Sequence, residues 1–220
     1  MISITIDGPA GAGKSTISRR LASELGFIYV DTGALYRAIG YFVLSRGIAV
    51  NDEPSIAGLL AGVNIEIRYV DTEQRVFLND SDVTSLIRTE AVSMAASAVS
   101  SLPIVRDFLL ELQRDMARSN NVVMDGRDIG TVVLPQAQIK IFLTASPEDR
   151  ARRRYDQLVE KGVSADFEAV LADLKKRDYD DSHRQIAPLK PASDAIIVDT
   201  TGNELTESIK LLTKLVKEKL

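Results

Sequence analysis

The sequence predicts an α/β fold, a parallel five-stranded sheet covered by helices and interrupted by a small inserted domain with a β-hairpin. Three observations predict it. Short apolar and β-branched runs alternate with helix-like segments, and a glycine loop joins the first run to the first helix. Between the second and third runs lie about 90 residues, far more than one crossover helix requires.

Ile2–Asp7 reads as the first strand and stops at Gly8-Pro9-Ala10-Gly11-Ala12-Gly13. From Lys14 the period becomes helical, with Ile17, Leu21 and Leu25 on one face. Phe27–Val30, Val122–Met124, Ile139–Leu143 and Ala195–Val198 read as the remaining strands. Continuous apolar runs of this kind belong to a sheet covered on both faces.

Inside the insertion, Ile65, Ile67 and Tyr69 alternate with Glu66 and Arg68. Asp71-Thr72-Glu73-Gln74 then turns the chain into Val76–Leu78, which predicts a hairpin. Pro103 opens a helix whose buried stripe is Ile104, Val105, Phe108, Leu109, Leu112 and Met116. Ser146-Pro147-Glu148 starts another, with Ser146 as cap, and a strongly charged stretch runs from Arg150 to Arg184. A last helix spans roughly Asn203 to Lys219.

Composition narrows the function. The 27 Lys and Arg against 31 Asp and Glu give a formal charge of −4, which argues against a general binder of nucleic acid or anionic membrane. With no cysteine and one histidine, thiolate and all-imidazole zinc sites are excluded, while oxygen-ligated Mg²⁺ stays open. The N-terminal segment lacks a basic then apolar signal region, and no run of about 18 uncharged apolar residues is present. A cytoplasmic protein is expected, and a monomer, for want of an obvious exposed apolar stripe.

Gly8-Pro9-Ala10-Gly11-Ala12-Gly13-Lys14-Ser15 fits G-x-x-x-x-G-K-[ST] at every defined position, between a strand and a helix. Such a P-loop turns its amides inward around a phosphate, and the following helix, starting with Lys14, Ser15 and Thr16, adds its positive end. Lys14 is expected on the β- and γ-phosphates of a nucleoside triphosphate and Ser15 on Mg²⁺. The motif does not name the reaction. A GTPase would carry N/T-K-x-D, whereas Thr213-Lys214-Leu215-Val216 lacks the Asp. A motor ATPase would place a water-activating Glu after Asp125, where Gly126 stands. That absence suits an enzyme that transfers phosphate to something other than water.

Asp31-Thr32-Gly33-Ala34-Leu35-Tyr36-Arg37 follows the second strand, at the strand end where open α/β sheets collect ligands. Thr32 can cap the helix starting near Gly33, and Tyr36 and Arg37 could approach an anion there; taken alone, the stretch fits a plain helix cap equally well. Asp125-Gly126-Arg127-Asp128-Ile129-Gly130-Thr131 ends the third strand. Asp125 stands where P-loop proteins hold the magnesium shell. His183 sits between Ser182 and Arg184 in a polar stretch and reads as a solvated residue, since phosphoryl transfer relies on alignment and charge neutralisation.

With Ile87-Arg88-Thr89, Lys140–Leu143 and Arg177-Asp178 through Ala187-Pro188-Leu189, these motifs resemble the bacterial cytidylate kinases from Ile2 to the final helix. The resemblance implies a P-loop NTP hydrolase-like core at 1–31, 120–148 and 185–220. It also implies an inserted monophosphate-binding region at 32–119 and a short lid at 149–184. It implies that Thr32, Arg37 and Arg127 grip the phosphate of CMP, that Tyr36, Arg177 and Asp181 hold the ribose, and that Ser97, Arg106 and Asp128 face the cytosine. Arg184 would act near the phosphates, with lid arginines drawn from Arg150, Arg153 and Arg154. The implied reaction is ATP plus CMP or dCMP giving ADP plus CDP or dCDP, with Mg²⁺. The rivals are a kinase for another acceptor, such as AMP, UMP or shikimate, and a nucleotide-binding regulatory module, which would need no second anion site.

Overall fold

The computed structural model describes residues 1–70, 73–160 and 162–220. The first half of the chain forms β1 (Ser3–Asp7), α1 (Lys14–Leu25), β2 (Ile28–Asp31), α2 (Thr32–Ser45), α3 (Glu53–Leu60), β3 (Ile65–Val70), β4 (Glu73–Leu78), β5 (Ser81–Asp82) and α4 (Glu90–Val99). The second half forms α5 (Pro103–Ser119), β6 (Val122–Gly126), β7 (Ile139–Thr144), α6 (Pro147–Glu160), α7 (Phe167–His183), β8 (Ile196–Asp199) and α8 (Leu205–Lys217). A 3-10 turn lies at Leu86–Arg88 and a π-helical turn at Ile129–Val133. The chain divides into two compact units, Met1–Tyr29 with Asn120–Leu220, and Val30–Ser119.

The large unit is built on the five-stranded sheet, order β2-β6-β1-β7-β8. β1 is central and pairs in parallel with β6 and β7, so its β-branched run is buried along its whole length, with Ile4 and Ile6 fully so. The register sets Asp7 against Gly126. Because the strands are parallel, the loops after β1 and β6 emerge at the same edge. Ile17 and Leu21 of α1 and Leu212 and Val216 of α8 complete this core. α1 stops at Gly26, whose φ of 66° lies in the left-handed region that favours glycine.

The small unit packs α2 to α5 with the antiparallel sheet β3-β4-β5 around Leu35, Ile39, Ile56, Ile87, Val99, Val105 and Leu109. α2 and α4 touch at Gly40, where a Cβ would lie 2.8 Å from the Ala96 nitrogen. The hairpin is present, but Glu73 and Gln74 are strand residues paired with Val70 and Tyr69, not part of a turn. Asp71 and Thr72 lie outside the described residues. The cap of α2 is Asp31, whose Oδ1 accepts from the Ala34 N–H at 2.9 Å, and Thr32 is the first helical residue. An Asp one place earlier supplies the acceptor three residues before the amide, the spacing an N-cap needs, so Thr32 is displaced from the role expected of it. Ser146 does cap α6, accepting from the Asp149 N–H at 3.1 Å. The last helix starts at Leu205, where its apolar period begins, rather than near Asn203, because Glu204 and Glu207 form a capping box there.

Candidate active site

The loop after β1 has the backbone the glycine motif demands. Gly8, Gly11 and Gly13 have φ of 152°, 75° and 87°. A Cβ on Gly8 would lie 1.9 Å from the Leu143 carbonyl oxygen, so the loop is seated on the end of β7 in a way only glycine allows. Lys14 is buried and its Nζ donates to the Pro9 oxygen at 2.7 Å, folding back across the loop. Burial and the nearby Arg127 cation bring its pKa down to about 7, against the opposing pull of Asp125, Asp181 and Asp7. Ser15 Oγ donates to Asp125 Oδ2 at 2.9 Å, joining the loop to the end of β6.

Those two oxygen groups suit a hard cation that takes the rest of its shell from phosphate and water. Among the described residues no cluster of three or more Asp, Glu or His side chains could hold a metal alone. The Ser15 hydroxyl and the Asp125 carboxylate are oxygen donors of the kind Mg²⁺ takes.

The turn after β6 carries the expected acceptor residues of the large unit. Arg127 Nε donates to Asp181 Oδ2 at 2.7 Å, and Arg184 NH2 lies 3.4 Å from Asp128 Oδ1. Arg184 also donates through Nε to the Ala187 oxygen at 2.6 Å. Asp181 is mostly buried, and Arg127, Arg184 and Arg177 overcome that burial to hold its carboxyl below the ordinary value. Arg127, Asp128, Asp181 and Arg184 thus form one alternating charge network, with Arg177 acting on it from α7.

The arginines expected over the phosphates divide. Arg150 is buried, with Nε on the Ala145 oxygen at 2.9 Å, NH1 on the Ala10 oxygen at 2.9 Å and NH2 on Asp178 at 2.6 Å. In this conformation it braces the phosphate loop against α7. Arg153 donates to the Thr200 and Asn203 oxygens, at 2.9 and 3.4 Å. Arg154 lies on the same helix, α6. His183 is exposed and stacks on Tyr179 with centroids 4.0 Å apart.

In the small unit, Asp31 is the organising group. Its Oδ2 accepts from Arg37 at 2.8 Å and lies 3.8 Å from Arg88 NH1, while its N–H donates to Gln74 Oε1 at 2.9 Å. Burial raises its carboxyl, but Arg37, Arg88 and the Ala34 amide prevail and hold it below the ordinary range. Arg106 is buried, donates to the Ser100 oxygen at 3.1 Å and stands 5.7 Å from the Tyr36 ring centroid. Ser97, half-buried on α4, precedes that turn, and its carbonyl accepts from Ser100 Oγ at 2.8 Å.

The family model for cytidylate kinase matches residues 4–218. The chain belongs to the cytidylate kinase family. It is 50% identical to the cytidylate kinase of Carboxydothermus hydrogenoformans over 98% of this chain and 97% of that one. It is 46% identical to that of Exiguobacterium sp., over 99% and 97%. Among solved structures, an uncharacterized protein from Eubacterium ventriosum matches in fold at a TM-score of 0.54 and 12% identity, covering 99% of each chain.

For a cytidylate kinase family member, the P-loop and the Arg127–Asp128 turn were open to reading because each is a contiguous motif. Asp31, Gln74, Arg88 and Asp178 act through partners distant in the chain. Asp7 was missed too. It accepts from the Ile129 and Gly130 amides, at 2.8 Å each, and burial nonetheless raises its pKa to about 6.

Proposed function

We propose that this chain transfers the γ-phosphate of ATP to CMP or dCMP, releasing ADP and CDP or dCDP. The observation that carries the reading is the full-length family match in a chain whose phosphate loop and second anion-binding turn leave neighbouring strand ends. A P-loop alone would fit many reactions; a second arginine-bearing turn beside it suits an enzyme with two phosphorylated substrates.

Gly8, Pro9, Ala10, Gly11, Ala12 and Gly13 are assigned to the triphosphate of ATP, with Lys14, Ser15 and Thr16 at the helix start. Lys14 meets the β- and γ-phosphates, and their charge favours its protonated form. Ser15 and Asp125 would hold Mg²⁺, which when bound neutralises part of the phosphate charge. Thr32, Arg37 and Arg127 take the CMP phosphate; Tyr36, Arg177 and Asp181 its ribose; Ser97, Arg106 and Asp128 its base. Residues 149–184 form the lid, whose arginines at the transferring group are drawn from Arg150, Arg153 and Arg154, with Arg184 near the phosphates.

The nucleophile is a phosphate oxygen of CMP, already an anion, so no base need remove a proton. It attacks the γ-phosphorus in line, the bond to the β,γ-bridging oxygen breaks, and ADP leaves with that electron pair. The chain's task is to bring two polyanions within about 3–3.5 Å and to cancel their repulsion with arginines and Lys14. A carboxylate accepts only, so Asp128 matches the exocyclic amine of cytosine and rejects the carbonyl of uracil.

The test is ADP formation from ATP with CMP, dCMP, AMP or UMP as acceptor. CMP and dCMP should turn over at least about a hundredfold better, in kcat/KM, than UMP. Equal turnover of AMP or UMP would contradict the assignment. The reading takes the enzyme as a monomer, and sedimentation at a single mass near 24.1 kDa checks it.

A further inference from the structure

The Asp128–Gly130 turn has two amides that its own helix cannot satisfy. The π-helical turn uses the Asp128 and Ile129 carbonyls, which accept from the Val133 and Leu134 N–H groups at 3.3 and 2.7 Å. The first N–H groups of any helical turn lack such partners. Here both find one carboxylate: Ile129 donates to Asp7 Oδ1 and Gly130 to Asp7 Oδ2. Each oxygen takes one amide, so the carboxylate fixes the orientation of the turn as well as its distance. Gly130 is seated tightly from the other side, since a Cβ there would lie 2.9 Å from Thr5 Oγ1 and 3.2 Å from Lys140 Cδ. A buried carboxylate is a costly way to cap two amides in a protein core.

We propose that Asp7 is a positioning residue of the acceptor site: by chelating the Ile129 and Gly130 amides it fixes the turn that presents Arg127 and Asp128 to the CMP phosphate and base. This rests on the roles given above to Arg127 and Asp128. Asp7 stands directly before Gly8, yet both of its carboxylate oxygens are turned to the Ile129 and Gly130 amides, at 2.8 Å each, rather than to the phosphate loop. Its effect should therefore fall on the acceptor more than on ATP.

Asp7→Asn tests this, because the amide keeps the volume but points an NH₂ at one of the two N–H donors. The variant should raise KM for CMP about tenfold or more and narrow the CMP-to-UMP ratio of kcat/KM, with KM for ATP moving less than about threefold. Asp128→Asn and the double variant are measured beside it. If Asp7 acts through the turn, its effect on base selectivity disappears in the Asp128→Asn background.

An ATP effect as large as the CMP effect overturns the proposal, and so does an unchanged KM for both. Should Asp128→Asn keep the wild-type base selectivity, the reading of Asp128 fails. The Asp7 proposal is then judged by KM for CMP alone, through Arg127. For an Asp7→Asn chain that does not fold, amide hydrogen exchange of the wild-type enzyme decides. CMP should slow exchange at Ile129 and Gly130, and exchange unaltered by CMP overturns the proposal.

Discussion

Lys14 illustrates how one residue is prepared by its surroundings. It is buried beside Arg127, and both effects act against its charge, while its ammonium is held by the Pro9 carbonyl. In the proposed reaction a polyphosphate supplies the opposing charge, so Lys14→Ala should lower kcat/KM by at least about a hundredfold with the fold intact by circular dichroism. Arg37 and Arg127 are each pinned by a carboxylate, Asp31 and Asp181, at 2.8 and 2.7 Å. Changing either arginine to Ala should raise KM for CMP about tenfold or more and KM for ATP much less; equal effects would remove them from the CMP phosphate. Lys14 and Arg127 were legible because contiguous motifs carry them. Asp7 was not, because its two partners lie 122 and 123 positions away and meet it only once β1 pairs with β6.

At the scale of elements, the start of α2 concentrates the physics of the small unit. Asp31 caps the helix, holds Arg37 and is gripped through its backbone by Gln74 of β4. Its carboxyl lies below the ordinary value of 3.8, so its ionised form stabilises the fold. That contribution is complete above the unfolded value and is lost as pH falls through the lower folded one. Denaturant titrations should therefore show wild type more stable than Asp31→Asn near neutrality, the gap closing as pH falls below about 4, the unfolded value, and through the lower folded one. A gap independent of pH would mean the cap does not depend on charge.

Gly40 makes the α2–α4 contact. Gly40→Ala places a Cβ 2.8 Å from the Ala96 nitrogen, and separating the helices should cost about 1–3 kcal/mol in denaturant unfolding. The strands of the sheet were readable from their apolar runs. The start of β4 was not, because Glu73 and Gln74 look like turn residues until the Gln74 side chain is seen bonded to the Asp31 backbone.

Across the whole molecule, the chain leaves the sheet after β2 and re-enters it at β6, and the residues between form a second unit with its own core. The length of that interval was enough to reveal an insertion, since no single crossover needs it. The strand order was beyond reach, because local patterns carry no information on which strands become neighbours. That order sets β1 beside β6 and so brings the phosphate loop next to the Arg127–Asp128 turn. The proposed reaction is thus transfer between two nucleotides rather than hydrolysis of ATP. Phosphorus-31 NMR of the enzyme with ATP, CMP and Mg²⁺ tests this most directly. CDP and ADP should appear in equal amounts, with ATP stable when CMP is left out. Inorganic phosphate released from ATP at the same rate without CMP, or ATP consumed with no CDP formed, would contradict it.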